Sequence, residues 1–213
     1  MDLSLKTAIL KKLPLFDQLT DHDLSIFASV LKEVDAPSGE VIIEQDDIKN
    51  LDAYIIVEGG AKIYRINEDG EIINLAILGP GQIVGEMTLL DDSPRSAYVE
   101  TIQDSKLLVL SREQLLKVLQ DHPKAAVGLL KTLASRLRIT NERLEDLVSK
   151  NLKTRTWKVL QTLSSYFPNK DINLSQEELS GIIGATRARV TEVLNELERE
   201  NKITLSHKHI HIN

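Results

Sequence analysis

Gly85-Glu86-Met87-Thr88-Leu89-Leu90-Asp91-Asp92-Ser93-Pro94-Arg95-Ser96-Ala97 is the most informative stretch of this 213-residue chain. It opens on a glycine, passes through a short helical run and returns to an extended segment. A glycine lets an anion approach backbone amides, a helix N-terminus draws negative charge, and Arg95 offers a two-pronged guanidinium. Together they make a phosphate cradle. Glu86 belongs beside a phosphate only if it accepts hydrogen bonds from hydroxyls, as a ribose supplies. The other reading of Glu86 and Arg95, nine positions apart, is a surface ion pair.

On both sides of this stretch the hydrophobic period is that of strands. β-Branched runs at residues 41–43, 54–57, 61–66, 72–78, 97–101 and 106–110 are separated by Ser38-Gly39, Gly59-Gly60, Asp69-Gly70 and Gly79-Pro80-Gly81. Evenly spaced turns of this kind predict an antiparallel barrel or roll. Ahead of it, short helices are expected: Pro14-Leu15-Phe16 breaks the first, and Thr20 caps a second whose Leu24, Phe27, Ala28 and Leu31 recur at helical spacing.

Beyond Ser111 the pattern is helical, and residues 126–151 hold a heptad repeat. Leu130, Leu137 and Leu144 occupy one position, and Leu133, Thr140 and Leu147 the next. So narrow a seam is buried most simply against a second copy, which predicts a parallel homodimer; the alternative is an amphipathic helix packed on its own barrel. The polar Thr140 in a leucine seam fixes register or touches something polar at the interface.

A third module starts at Leu152 with a helix to about Tyr166, a Pro168-Asn169 loop and a strand over residues 171–174. Ser175-Gln176-Glu177-Glu178 has the form of a capping box. The helix it opens ends at Gly184, and Thr186 is placed to cap the next, which runs through Val190, Leu194 and Leu197. Two short helices around a glycine turn make a helix-turn-helix, and the alternation from Ile203 to Ile212 reads as a β-hairpin wing. The expected fold class is therefore α+β, divided into an effector-binding roll with flanking helices (residues 1–122), a dimerisation helix and hinge (123–150), and a winged helix-turn-helix (151–213).

Charge follows this division. The chain carries 26 Lys and Arg against 32 Asp and Glu, a net charge of −6. Residues 1–149 hold 16 basic and 25 acidic side chains, while residues 150–213 hold 10 and 7, so only the last third is net basic and open to a polyanion. The absence of cysteine excludes disulfides, thiolate metal sites and cysteine nucleophiles. Apolar runs far shorter than the roughly 20 residues of a membrane span, and a Met-Asp start unlike a secretory signal, lead to the expectation of a cytoplasmic protein without a membrane partner.

The Gly85–Ala97 segment resembles the phosphate-binding cassette of cyclic-nucleotide-binding domains. Roll, dimer helix and winged helix in this order resemble the cyclic AMP receptor and fumarate-nitrate regulator (Crp/Fnr) superfamily over essentially the whole chain. The resemblance implies that Glu86 receives a ribose 2′-hydroxyl, and that Arg95 and Ser96 with backbone amides from Gly85 through Met87 hold a cyclic phosphate. It also implies that Ile63 and Leu75 wall the pocket, and that Thr140 and Asn141 meet the base from both subunits. A Thr and an Asn suit an adenine or a guanine edge, so these two residues leave the base open; the resemblance implies cyclic AMP as the expected ligand, with cyclic GMP next. Val84 stands where the family often has an aromatic residue.

In the helix-turn-helix the resemblance runs from Leu174 to Arg187. Arg187 is where a side chain forks onto guanine O6 and N7 in double-stranded DNA. Thr186 and Arg189 suit phosphates, with Ser175 and Gln176 further candidates. Family members often carry Glu after the first arginine and Arg four residues on; Ala188 and Glu192 stand there instead, so the familiar operator is not expected. Glu192 either accepts from a cytosine amine or pairs with a neighbouring arginine. A pseudo-palindromic operator and a polymerase contact near residues 164–170 complete the expected partners.

His207, His209 and His211 alternate on one strand and read as wing surface rather than a metal site, and Trp157 reads as core of its helix. No nucleophile-base pair, metal triad or GxxxxGK loop supports an enzyme. Two other readings stand: a regulator of this family needing no nucleotide or using another effector, and a nucleotide-binding signalling module acting through protein contacts.

Overall fold

The computed structural model describes residues 1–17, 19–91, 93–206 and 209–213 and, within these, every side chain but those of residues 143, 147–149 and 168. Helix α1 (Leu3–Lys11) starts where the Asp2 side chain accepts from the Leu5 amide, and it stops before Pro14. Thr20 caps α2 (Asp21–Val30), whose Leu24, Phe27 and Ala28 are buried.

Eight strands follow: β1 (Lys32–Ala36), β2 (Val41–Ile43), β3 (Ala53–Glu58), β4 (Ala61–Ile66), β5 (Ile72–Leu78), β6 (Ile83–Val84), β7 (Tyr98–Thr101) and β8 (Ser105–Leu110). They form two antiparallel sheets, β1-β8-β3-β6 and β2-β7-β4-β5. Helix α3 (Glu86–Asp91) interrupts them between β6 and β7.

The first sheet is covered on both faces, which is why β3 is an unbroken apolar run rather than an alternating one. Ile56 and Leu107 point into the roll with Ala36, Ile43, Ala61, Leu78, Val84 and Val99. Their neighbours Ile55 and Leu108 point the other way, into a cluster built from α1, α2 and the helices after the roll. The long β5 carries a bulge: Ile63 pairs with Ala76 and Tyr64 with Asn74, leaving Leu75 as the extra residue.

Helix α4 (Arg112–Asp121) is opened by a capping box of Ser111 and Gln114. Helix α5 (Pro123–Ser149) runs 27 residues with a proline in its first turn, about 40 Å at 1.5 Å per residue. It crosses the Pro14 turn at Gly128, where an added Cβ would lie 1.8 Å from the Pro14 carbonyl oxygen.

Asn151 caps α6 (Leu152–Ser164), which leads through a 3-10 turn at Pro168–Lys170 to β9 (Asp171–Ile172), α7 (Gln176–Ile183), α8 (Arg187–Arg199), β10 (Ile203–Ser206) and β11 (His209–Ile212). The last three strands form a sheet in the order β10-β11-β9. Leu160, Leu179, Val190, Leu194 and Leu197 are fully buried at its centre, and Ile77 and Ile102 of the roll belong to the same cluster. Trp157 is half-buried against that cluster, with the Lys202 ammonium 5.7 Å above its ring. No described helix is long and apolar enough to cross a membrane.

Candidate functional site

The chain enters the cassette from β6 and turns at Gly85, whose φ of 85° lies in the left-handed region. A side chain there would also collide: an added Cβ would lie 2.8 Å from Cδ1 of Ile43 and 2.9 Å from Nη1 of Arg95. The glycine is thus required by conformation and by close approach together. α3 then buries Glu86, Thr88 and Leu89, leaving Met87 half exposed.

Arg95 is held by its backbone and its side chain. Its amide donates to the Asp47 carbonyl and its own carbonyl accepts from the Asp46 amide, at 3.1 and 2.9 Å. Nε and Nη2 donate to the Asn50 carbonyl, Nη2 also to that of Asp52 and Nη1 to that of Gly85, at 2.6 to 2.9 Å. A guanidinium only 2% exposed must have its donors satisfied. Here backbone carbonyls satisfy them. Burial pulls its pKa down, against Tyr54, Asp47, Asp52 and Glu86, which pull it up.

Glu86 is fully buried and does not pair with Arg95, so the surface ion pair allowed by the sequence is not what forms. Its Oε1 accepts from Nη1 of Arg136, carried by α5, and Nη2 of Arg136 donates to the Ile83 carbonyl. Oε2 has no hydrogen-bond partner among the described residues. Burial raises the Glu86 pKa, opposed by Arg136 and Arg95. Sequence reasoning missed Arg136; the available signal was its place one helical turn before Thr140, whose hydroxyl donates to the Arg136 carbonyl.

The other predicted effector residues lie around this pair unevenly. Ile63 is half-buried against the inner cluster of the roll. Leu75 sits on the bulge of β5, 44% exposed and outside that cluster. Ser96, Thr140 and Asn141 are exposed. An orphaned buried carboxylate oxygen, the partly buried Arg136 beside it and the buried Arg95 nine residues along the chain fit a ligand that combines hydroxyls with an anionic group.

Along α5 the first turns bury Ala125 and Leu129 in the chain's own core, and later ones stand free of it: Leu130, Leu137 and Leu144 are exposed, Leu133 half-buried. The Leu147 side chain lies outside the described residues.

In the third module both halves of the Ser175–Glu178 capping box form, and Gly184 ends α7 with φ 71°. Thr186 occupies the N-cap of α8 but makes no side-chain cap bond, contrary to expectation, which leaves its hydroxyl uncommitted to the helix. Gln176 Oε1 accepts from the Thr191 hydroxyl at 2.6 Å, tying α7 to α8. Arg187, Ala188, Arg189 and Glu192 are exposed on the first turns of α8 while Val190 and Leu194 anchor its back. Among the described residues none of Arg187, Arg189 and Glu192 forms an ion pair, so the pairing allowed for Glu192 is absent. The wing histidines have partners that the sequence did not indicate. Asp171 is 2.8 Å from His211 Nδ1, and Asn173 contacts His209; His207 lies outside the described residues.

Comparison with known proteins fits this geometry. The cyclic nucleotide-binding domain family matches residues 33–122, and the Crp-like helix-turn-helix domain family residues 154–213. The cyclic AMP receptor protein of Thermus thermophilus is 31% identical over 196 residues, covering 92% of this chain and 90% of that one. A CRP-like cAMP-activated global transcriptional regulator of Mycobacterium tuberculosis is 29% identical over 209 residues, covering 95% and 93%. The crystal structure of the Thermus thermophilus catabolite activator protein superposes with a TM-score of 0.56 at 30% identity, covering 94% and 93%. With a cyclic-nucleotide-binding-type roll, a long helix and a Crp-like DNA-binding module in one chain, this protein belongs to the Crp/Fnr family of DNA-binding transcription regulators.

Proposed function

We propose that the chain works as a cytoplasmic homodimer whose affinity for operator DNA is set by a cyclic nucleotide held in the roll, cyclic AMP ahead of cyclic GMP. The division into residues 1–122, 123–150 and 151–213 is the working one. The observation that carries this reading is Oε2 of Glu86, a buried acceptor without a partner, next to Arg136 and on the same cassette as the buried Arg95.

A ribose hydroxyl donates to that oxygen. The cyclic phosphate takes the amides from Gly85 through Met87, the Ser96 hydroxyl and the Arg95 fork, and the base reaches Thr140 and Asn141 of both subunits. Such contacts differ between the two arrangements of the α5 pair, with Leu130, Leu133, Leu137, Leu144 and Leu147 in the seam. Binding thereby biases the position of α8 through the hinge near residues 147–153. Two α8 helices about one DNA turn apart read a pseudo-palindrome, with Arg187 on a guanine, Arg189 and Thr186 on phosphates, and Ser175, Gln176, Ala188 and Glu192 alongside. The names of the Thermus and mycobacterial relatives support cyclic AMP. A polymerase contact belongs at residues 164–170.

Calorimetric titration with cyclic AMP and with cyclic GMP tests the reading, with Arg95→Leu and Arg95→Lys beside the wild type. The expected result is saturable heat with cyclic AMP, abolished by Leu and weakened by Lys, with near-ultraviolet circular dichroism confirming that both variants stay folded. A second reading is favoured by the internal pairing of Arg95 with three backbone carbonyls and of Arg136 with Glu86. It is a regulator that needs no nucleotide, and it predicts no heat and equal DNA affinity with and without cyclic nucleotides.

A further inference from the structure

Where the second turn of α8 passes the start of α7, two half-buried polar side chains meet, Thr191 and Gln176. The Thr191 hydroxyl oxygen lies 2.6 Å from Gln176 Oε1 and 2.9 Å from the Arg187 carbonyl oxygen. A hydroxyl has one proton to give, and the shorter contact takes it. The same distance fixes which way the amide faces. Hydrogen bonds between two oxygens centre on about 2.7 to 2.8 Å and those from an amide nitrogen on about 2.9 to 3.0 Å, so the atom against Thr191 is the oxygen. Nε2 has no partner among the described residues and is not one of the buried polar atoms that lack one, so it faces solvent with both protons free.

Its neighbour Ser175 is differently placed. From the N-cap of α7 it donates its hydroxyl to Glu178 Oε2 at 2.7 Å and accepts from the Glu178 amide at 3.2 Å, so its proton is spent within the capping box. Of the two, only Gln176 keeps free donors. Thr191 stands one helical turn after Arg187, which sets the Gln176 amide beside the exposed surface of Arg187 and Ala188. What a glutamine recognises depends on both ends of its amide. Reading an adenine edge takes a donor and an acceptor together, whereas a phosphate oxygen takes donors alone. With Oε1 turned into the crevice between α7 and α8, the half that faces outward is the donor half.

We propose that Thr191 is a positioning residue for DNA binding. Its hydroxyl holds the Gln176 amide with Nε2 outward, so that α7 donates to a phosphate oxygen of the DNA backbone while α8 reads bases through Arg187. Thr191 itself touches no DNA. This role deepens the DNA-binding reading above and rests on α8 entering the major groove.

Binding titrations of the full-length protein test this role, on a duplex selected by the wild type from a randomised pool and on a scrambled one, at one salt concentration. Thr191→Val keeps the shape and removes the hydroxyl. It should weaken binding to both duplexes alike, by about three- to tenfold, the net worth of one hydrogen bond. Gln176→Ala should match it, and adding Thr191→Val to Gln176→Ala should cost less than about a further twofold, because the two act through one contact. Thr191→Ser, which retains a hydroxyl, should regain most of the loss. Gln176→Glu still accepts from Thr191 and suits a helix N-terminus, so it stays folded, yet it offers no donor and should bind more weakly than Gln176→Ala. Wild-type affinity in Thr191→Val, additive losses in the double variant, no recovery in Thr191→Ser, or wild-type binding by Gln176→Glu each overturns the proposal. A loss confined to the selected duplex does so too, since it marks a base contact. Arg187→Ala keeps the two failures apart. If it leaves discrimination intact, α8 does not read the groove; if it relaxes discrimination while Thr191→Val binds normally, only the positioning role falls.

Discussion

Arg136 reaches from α5 to the Glu86 carboxylate at the start of α3, fifty positions away in sequence, and joins the long helix to the cassette. The pair is asymmetric: Glu86 is 1% exposed at its side chain and Arg136 29%. Removing the arginine strands a buried carboxylate, whereas neutralising the carboxylate as well leaves no buried charge without its counter-ion.

Arg136→Ala is therefore expected to cost about 1.5 to 3 kcal/mol, the range for a hydrogen bond to a charged group. Glu86→Gln/Arg136→Ala should cost less than the sum of the single changes. Urea midpoints of the four proteins in a double-mutant cycle check this.

The same carboxylate gives a pH signature. Its folded pKa is raised, mainly by burial, so the folded state binds its proton more tightly than the unfolded chain does. This contribution weakens the fold as pH rises above the ordinary glutamate value and is relieved on acidification. Wild-type stability relative to Glu86→Gln should accordingly increase as pH is lowered from neutral towards 4.5. A constant difference across that range would refute the assignment. The ion pairs of Asp146 and Glu200, whose pKa values are lowered, act in the opposite sense and are common to both proteins.

Gly128→Ala tests the crossing of α5 over the Pro14 turn. The helix gains about 1 kcal/mol of propensity, yet the methyl must displace backbone, and overpacking of this kind costs about 1 to 3 kcal/mol or more. A lower Tm is expected, by about 2 to 4 °C for each net kcal/mol in a chain of this size.

Leu137→Asp places a charge in the exposed leucine row of α5. Sedimentation should shift from dimer towards monomer while helical circular dichroism of the monomer persists, because Ala125 and Leu129 still anchor the helix to its own core.

On the DNA side Arg187 and Arg189 of α8 should separate. Arg187→Ala is expected to lose about 1 to 3 kcal/mol of discrimination at one guanine. Arg189→Ala should weaken all sequences alike and lower the salt slope by about one. Binding titrations on selected and scrambled duplexes at several salt concentrations resolve them.

How far this was readable from sequence differs from element to element. Local signals carried over: Thr20, Ser175 with Glu178, and Gly184 do at helix ends what their chemistry dictates, and β2 to β5, β7 and β8 fall on the β-branched runs between turns, whereas β1 and β6 lie outside those runs. Thr186 shows the limit, since its position is that of a cap and its hydroxyl makes no cap bond. Long-range pairings left no local trace. Neither the Arg136–Glu86 contact nor the carbonyl cage of Arg95 is encoded by spacing, and the bulge that sets Leu75 apart depends on a register shift against β4. A glycine signals a close approach without naming what approaches, and Gly128 became interpretable only with the Pro14 backbone beside it.

The 27 residues of α5 are also a protractor. Each residue turns the helix by about 100° as well as lengthening it by 1.5 Å. One residue inserted between Leu129 and Arg136 would swing the arginine away from Glu86 and point everything after it a quarter-circle off. Insertions of seven would nearly restore the angle at the expense of about 10 Å of reach. The spacing from core to cassette to hinge is thus fixed in angle before it is fixed in distance, and sequence drift in this helix must proceed by substitution rather than by changes of length.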